Sequence, residues 1–487
     1  MRGSKAYWML LAYLMILSIA MIMVYLFWWR INRESGGSFV VGRIFFQTLF
    51  YVQVGLVCLI APGLTSGAIT IEKEQRTYDL LAVTPMEARS MVIGKLISAL
   101  SFVLLLMVSS VPLVSVCFLL GGVSPGEVLF AYLALLLTAF MYGALGLMWS
   151  SVARNTATAT LMTYCTVFIL FLGTLALVEA DALKAVNPIG AFLYATNMEK
   201  YFSFSMPGWI PGLILNALAG ILFMMVAIRK IDSYATDTSL GLRIQSLVLY
   251  FAVVFFVFGW LFGVHYPLGW MESDGELLMV IWLIVLTFLL ILTPIFTTGE
   301  LERDEQRGLG TFLSHGWKHL FRGRIESGIP FIVLLLAVSV LLFVLGFPIM
   351  GKKIPVEVGL DLPVLVILVL MVVAAFGAIE LLLSSLLRSR WAALASGYLI
   401  MAILILLPLI VLPGSLRPEE IVGFKPLWIP LYLNPHMALM SLFPDVMPDL
   451  PDPASDIPFL CITTLVYALI GAMVFVKLRR VLAERHR

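Results

Sequence analysis

The chain has 487 residues, of which 61% are hydrophobic and 12% charged, with a mean hydropathy of +1.03. A soluble domain carries roughly 45–50% apolar and about 25% charged residues, so this composition excludes a body whose main solvent is water. The formal charge of +2 is too small, and the bases are too scattered among turns, for a nucleic-acid partner.

Arg2 and Lys5 precede an apolar run from Tyr7 to Trp29, which superficially resembles a signal peptide. It is longer than the about 7–15 residues of a secretory core and ends in Trp28-Trp29-Arg30, an interfacial anchor, so it reads as a first membrane span. Eleven more runs follow, giving twelve predicted helices at 7–29, 40–66, 91–120, 127–152, 157–180, 209–228, 246–264, 276–299, 328–350, 362–387, 391–413 and 457–476. Each approaches the about 20 helical residues needed to cross roughly 30 Å of hydrocarbon. Stretches such as Leu100–Leu120 and Val364–Leu387 are apolar on every face, which is not the two-residue alternation of a membrane barrel. Two starts carry capping chemistry: Thr84-Pro85-Met86-Glu87 opens span three and Ser124-Pro125-Gly126-Glu127 opens span four.

With the N-terminus inside, only Arg30, Arg33, Arg43, Lys184, Lys200, Lys352, Lys353, Arg417 and Lys425 of the 31 Lys and Arg face outward. The positive-inside rule therefore places both termini in the cytoplasm, in agreement with an even span count. The four cysteines, Cys58, Cys117, Cys165 and Cys461, lie in apolar segments and fit packing better than a disulfide framework.

The halves repeat one another. Pro62, Thr65 and Gly67 recur as Pro294, Thr297 and Gly299, an offset of 232, and Glu74-Gln75-Arg76 recurs as Glu305-Gln306-Arg307, an offset of 231. Ser150, Ser151, Arg154 and Tyr164 recur at an offset of 234 as Ser384, Ser385, Arg388 and Tyr398. Asn187-Pro188 recurs as Asn434-Pro435, the longer external loop near 414–456 absorbing the extra residues. These matches are polar, ordered and mostly at membrane exits, where lipid does not dictate composition. Six spans per copy put both copies in the same orientation, a parallel repeat of residues 1–232 and 233–487. The expected fold is an all-α integral membrane protein of twelve helices in two six-helix repeats, joined by the cytoplasmic segment Arg229–Gln245.

The most informative stretch lies between spans two and three. Glu72, Glu74, Arg76 and Asp79 decorate a segment that also bears Tyr78, Leu80 and Leu81, which predicts a small amphipathic helix at the cytoplasmic surface, able to meet a soluble partner. Glu72–Arg76, Tyr78-Asp79-Leu80-Leu81, Thr84-Pro85 and Gly94-Lys95-Leu96 together resemble the signature of the ABC type 2 permease family, as do Asn187-Pro188 and Asn434-Pro435. The second copy keeps Glu302–Arg307 and Thr311-Phe312-Leu313 but lacks Thr-Pro and Gly-Lys-Leu, so symmetric coupling is not assured.

The resemblance implies a type 2 ABC exporter membrane domain whose coupling residues, Glu72, Glu74, Arg76, Tyr78, Asp79, Leu80, Leu81, Thr84 and Pro85 with Glu302, Glu305, Arg307, Thr311 and Phe312, dock two cytoplasmic ABC ATPase subunits. This chain would bind no cofactor, ATP and Mg belonging to those partners: its Gly-Lys pairs, Gly94-Lys95 and Gly351-Lys352, are followed by Leu96 and Lys353, not by the Ser/Thr of a P-loop. The expected location is the cell membrane, in contact with lipid.

His315 and His319 are four apart, a spacing that can hold a metal on one helical face, but no third ligand is placed and no metal site is expected. Ser35-Gly36-Gly37 sits in a short outer loop and reads as a turn. Gln47, Gln53 and Asn216 lie within spans, where hydrogen bonds between helices explain them as well as a translocation pathway does. Glu380 lies about two turns inside Arg388, where an ionised carboxylate in lipid is costly; its repeat mate is Gly146. No catalytic set can be assembled. The competing functions are an ion-gradient-driven secondary transporter and an intramembrane enzyme acting on lipid or peptide.

Overall fold

The computed structural model describes residues 3–31, 38–77, 87–176, 198–207, 209–231, 238–268, 274–297, 320, 328–352, 356–387, 393–394, 396–401, 465–474 and 476–477. These form α1 (Gly3–Ile31), α2 (Ser38–Ser66), α3 (Thr70–Glu74), α4 (Ala88–Ser109), α5 (Val111–Leu120), α6 (Pro125–Val152) and α7 (Thr156–Ala176). A short hairpin, β1 (Met198–Tyr201) and β2 (Phe204–Pro207), leads to α8 (Trp209–Ile231), α9 (Thr238–Leu268), α10 (Asp274–Thr297), α11 (Gly328–Ile349) and α12 (Val356–Leu386). Among the described residues nine helices are long and apolar enough to cross a membrane, and the protein is an all-α multi-pass membrane protein apart from that hairpin.

Two details differ from the predicted elements. Span three is two helices, because Pro112 has no N–H for the carbonyl four residues back and the turn tightens at Ser110. The Ser110 hydroxyl donates to the Met107 carbonyl at 2.6 Å and accepts from Gln53 Nε2 at 2.6 Å, with Tyr132 Oη at 2.7 Å, so the break is knitted to α2 and α6. Span three also begins at Ala88, before the expected residue 91, with an extended Glu87 as its N-cap and no side-chain cap bond, while Thr84 and Pro85 lie outside the described residues. At span four the expected capping box is present: Ser124 Oγ accepts from the Glu127 N–H at 3.2 Å, and Glu127 Oε2 from the Ser124 N–H at 3.3 Å.

The contacts divide the chain into two compact units, Met1–Lys200 with Phe204–Val257, and Tyr201–Ser203 with Phe258–Arg487. In the first, α6 packs against α2 and α8. Its small residues permit this. A Cβ on Gly146 would strike Thr65 Oγ1 and lie 3.0 Å from the Pro62 carbonyl oxygen, while one on Gly220 of α8 would strike Phe140. In lipid, where apolar side chains gain little by leaving their solvent, close backbone approach of this kind supplies much of the association energy. Leu17, Leu49, Phe50, Val54, Leu106, Leu135 and Leu145 fill the core of the unit. In the second, α10 packs against α11 and α12, with Phe262, Phe343, Phe347 and Trp282 in ring contact.

Several bonds internal to the first unit recur inside the second. The Tyr164 hydroxyl donates to the Leu59 carbonyl at 2.7 Å, and the Tyr398 hydroxyl to the Ile291 carbonyl at 2.8 Å. Each acceptor lies three residues before an in-helix proline, Pro62 or Pro294, one position past the carbonyl that the proline leaves without its helical donor. Thr65 Oγ1 donates to the Ala61 carbonyl at 3.2 Å and Thr297 Oγ1 to that of Thr293 at 2.7 Å. Gly143 faces Leu96 and Thr65, and Gly377 faces Ile329 and Thr297.

Candidate coupling site

After α2 ends at Ser66 the chain does not leave the membrane domain. It continues through a turn at Gly67–Ile69 into α3, a single helical turn. Ile69 is fully buried among Val92 and Leu96 of α4, Ala144 and Leu147 of α6, and Ala227 and Ile228 of α8. This apolar seat fixes the start of the turn.

Polar groups fix the rest. Ser150 Oγ, in the last turn of α6, accepts from the backbone N–H groups of Ile69 at 2.9 Å and Thr70 at 3.1 Å, satisfying donors that α3 cannot use internally. Lys73 Nζ donates to the carbonyls of Ser151 at 2.6 Å, Ala153 at 3.1 Å and Ser150 at 3.3 Å, so a cation occupies the negative end of α6. Glu74 Oε1 accepts from the Thr156 N–H at 2.7 Å, placing a carboxylate at the positive end of α7. Lys95 of α4 pairs with Glu72 Oε1 at 2.6 Å and also donates to the Ala68 carbonyl. The turn is thus held by α4, α6 and α7 together.

Its exit has a defined conformation. The Arg76 N–H donates to the Lys73 carbonyl at 3.2 Å and the Thr77 N–H to the Glu72 carbonyl at 3.0 Å, the paired bonds of a Schellman motif. Arg76 occupies the left-handed position with φ 57°, which glycine usually fills. Ile71, Glu74, Gln75, Arg76 and Thr77 are exposed. The outcome is a rigid knob that presents one apolar, one acidic and one guanidinium group.

The helical turn covers Thr70–Glu74, and the part of the expected amphipathic segment from Tyr78 onward lies outside the described residues. Of the predicted coupling residues, Glu72, Glu74 and Arg76 meet here. Tyr78, Asp79, Leu80, Leu81, Thr84, Pro85, Glu302, Glu305, Arg307, Thr311 and Phe312 lie outside the described residues, as do His315 and His319. Lys73 was not predicted; the available signal was a lone base between two glutamates just beyond a span, suited to a helix C-terminus.

The pathway candidates are dispersed. Gln53 is 2% exposed and bonded to Ser110, and Gln47 is half-buried on the same helix. Asn216 Nδ2 donates to the Gly212 carbonyl of its own helix at 2.8 Å, a local bond and not an interhelical one. Glu380 is 1% exposed on α12.

A family model described as ABC-2 type transporter matches residues 2–187. Those residues are similar to the ABC-2 type transporter family. No curated protein matches the chain. The matched region contains α1–α7 and the whole braced turn. What the matched region is similar to is the membrane permease component of an ABC transporter, and the chain around it has helices long and apolar enough to cross a lipid membrane.

Proposed function

We propose that this chain is the permease of an ATP-driven exporter, that its ATPase subunits are separate polypeptides, and that the knob at 67–77 is where one of them presses. The supporting observation is the bracing of that knob. Lys73, Glu74, Lys95 and Ser150 tie it to three helices, so force applied to Arg76 or Ile71 reaches α4, α6 and α7 together. A solvated connection needs no such bracing.

Residues 1–232 and 233–487 act as two six-helix domains in this reading, with segments 72–83 and 302–313 on the same, cytoplasmic, side and two ATPase copies per chain. The recurring tyrosine–carbonyl and glycine–threonine contacts support the duplication. The chain sits in the cell membrane with both termini in the cytoplasm. It is non-catalytic, ATP and Mg being bound by the partners.

The test is affinity purification of the full chain. An ABC ATPase should co-purify and be lost when Glu72, Arg76 and Tyr78 are changed together. Transport by the chain alone in proteoliposomes, or opposite-side accessibility of 72–83 and 302–313, would overturn the reading.

A further inference from the structure

Glu380 is the one ionisable residue among the pathway candidates. It lies six residues before the end of α12, is 1% exposed, and its Oε2 is buried with no hydrogen-bond partner among the described residues. Its carboxyl rests against Gly397, where a Cβ would collide with both oxygens, so the helical residues 396–401 can close on α12 only because position 397 has no side chain. The repeat mates are Gly146 and Thr163, so the first half has no carboxyl at this place.

The elements packed around this part of α12 are α10, α11, residues 396–401 and the helix Leu465–Val474. Their titratable groups among the described residues are Asp274, Glu276, Tyr398 and Tyr467, and none is a cation. Asp274 and Glu276 open α10, while Gly377 meets Thr297 at its other end, roughly 30 Å of helix away. The Tyr398 hydroxyl is committed to the Ile291 carbonyl. Among the described residues no group of three His, Cys, Asp or Glu could share a metal with Glu380. A bare carboxylate at such a place in a membrane is strongly disfavoured unless it is paired or hydrated. The contact with Gly397 leaves no room for the hydration shell of a metal ion, whereas a proton needs none.

We propose that Glu380 is a proton-binding site: it holds a proton while α12 and residues 396–401 are packed together, and releasing that proton drives water in and parts them. The ligand is a proton, and the device exists only in the second half. It does not depend on the ATPase reading, since the isolated chain should show it.

The test uses the full chain in lipid nanodiscs. Dicyclohexylcarbodiimide adds to protonated carboxyls in apolar surroundings, and mass spectrometry locates the adduct. Glu380 should be labelled at pH 7, with labelling falling about tenfold per pH unit once the acid titrates. A cysteine at position 396 (Ser396→Cys) should be alkylated faster as pH rises, and Glu380→Gln should abolish that pH dependence while keeping the thermal stability of the parent at pH 7, because the amide resembles the neutral acid. An unlabelled Glu380 at pH 7, a pH dependence that survives in Glu380→Gln, or a Glu380→Gln protein destabilised at neutral pH would each overturn the proposal, since each marks a carboxylate already ionised at rest or without influence on the contact.

Discussion

Replacing Lys73 by methionine keeps most of its aliphatic stem and removes only the ammonium. Three carbonyls at the end of α6 then lose their donor, of which the one at 2.6 Å is the strongest contact. A hydrogen bond to a charged group contributes about 1.5–3 kcal/mol net, and a cation at a helix C-terminus about 0.3–1 kcal/mol. Lys73 is half-buried and a single ammonium divides its donors among three acceptors, so the total falls near the low end, at about 2–3 kcal/mol. If that energy resists local opening of the turn, its opening constant rises roughly 30- to 150-fold, at about 1.4 kcal/mol per tenfold. Hydrogen exchange measured on peptides covering 67–77 in nanodiscs should accelerate by that factor, while peptides from the middle of α6 keep their rate. Exchange at 67–77 changed by less than about threefold would show that the apolar seat of Ile69, and not the lysine, holds the turn, and the bracing argument would fail.

Arg76→Gly relieves the left-handed backbone and should stabilise the turn by about 1 kcal/mol, yet lower the ATP hydrolysis stimulated by the permease; a gain in both would detach the guanidinium from coupling. Tyr164→Phe and Tyr398→Phe should each cost about 0.6 kcal/mol of unfolding free energy in detergent and add within about 0.5 kcal/mol, since they remove equivalent bonds in separate places. Gly146→Ala forces a methyl against Thr65 and the Pro62 carbonyl and should destabilise by about 1–3 kcal/mol, read as a lower melting temperature. Ser124→Ala removes half of a capping box and should cost about 0.5–2 kcal/mol by the same assay.

Much of the helical body is legible in the sequence, because lipid demands long apolar runs and leaves little else to choose. The box at Ser124 and Glu127 was readable for the same reason: its chemistry is local. The break at Ser110 was not, although Pro112 announced it, because an apolar run conceals an interrupted ladder when a distant Gln53 and Tyr132 take up the polar groups. Lys73 was missed because its partners, Ser150, Ser151 and Ala153, lie almost 80 residues ahead and meet it only after α6 has crossed and returned. The coupling segment was recognised by composition; of its residues Glu72, Glu74 and Arg76 are among those described, and Tyr78–Pro85 are not.

On the proposed reading of two parallel domains, the contacts separate what a duplication would keep from what it would lose. Where a contact serves helix packing, as with Tyr164 and Tyr398 or Gly143 and Gly377, it survives in both halves. The brace does not survive in sequence: at the offset of 231 that aligns Glu74 with Glu305, Lys73 corresponds to Asp304, and at the offset of 233 relating Leu96 to Ile329, Lys95 corresponds to Gly328. An aspartate cannot donate to the carbonyls at a helix end, and its charge is repelled by them. Glycine cannot pair with a glutamate. On the proposed reading the halves therefore share a frame but not a transmission, with the knob at 67–77 suited to carry force and Glu380 confined to the other half. Asp304→Lys alone would restore the Lys73 charge in the second half, Gly328 being too closely packed on the Phe296 carbonyl to take a side chain; a gain in stimulated ATP hydrolysis would show that the missing brace, rather than the altered frame, sets the difference between them.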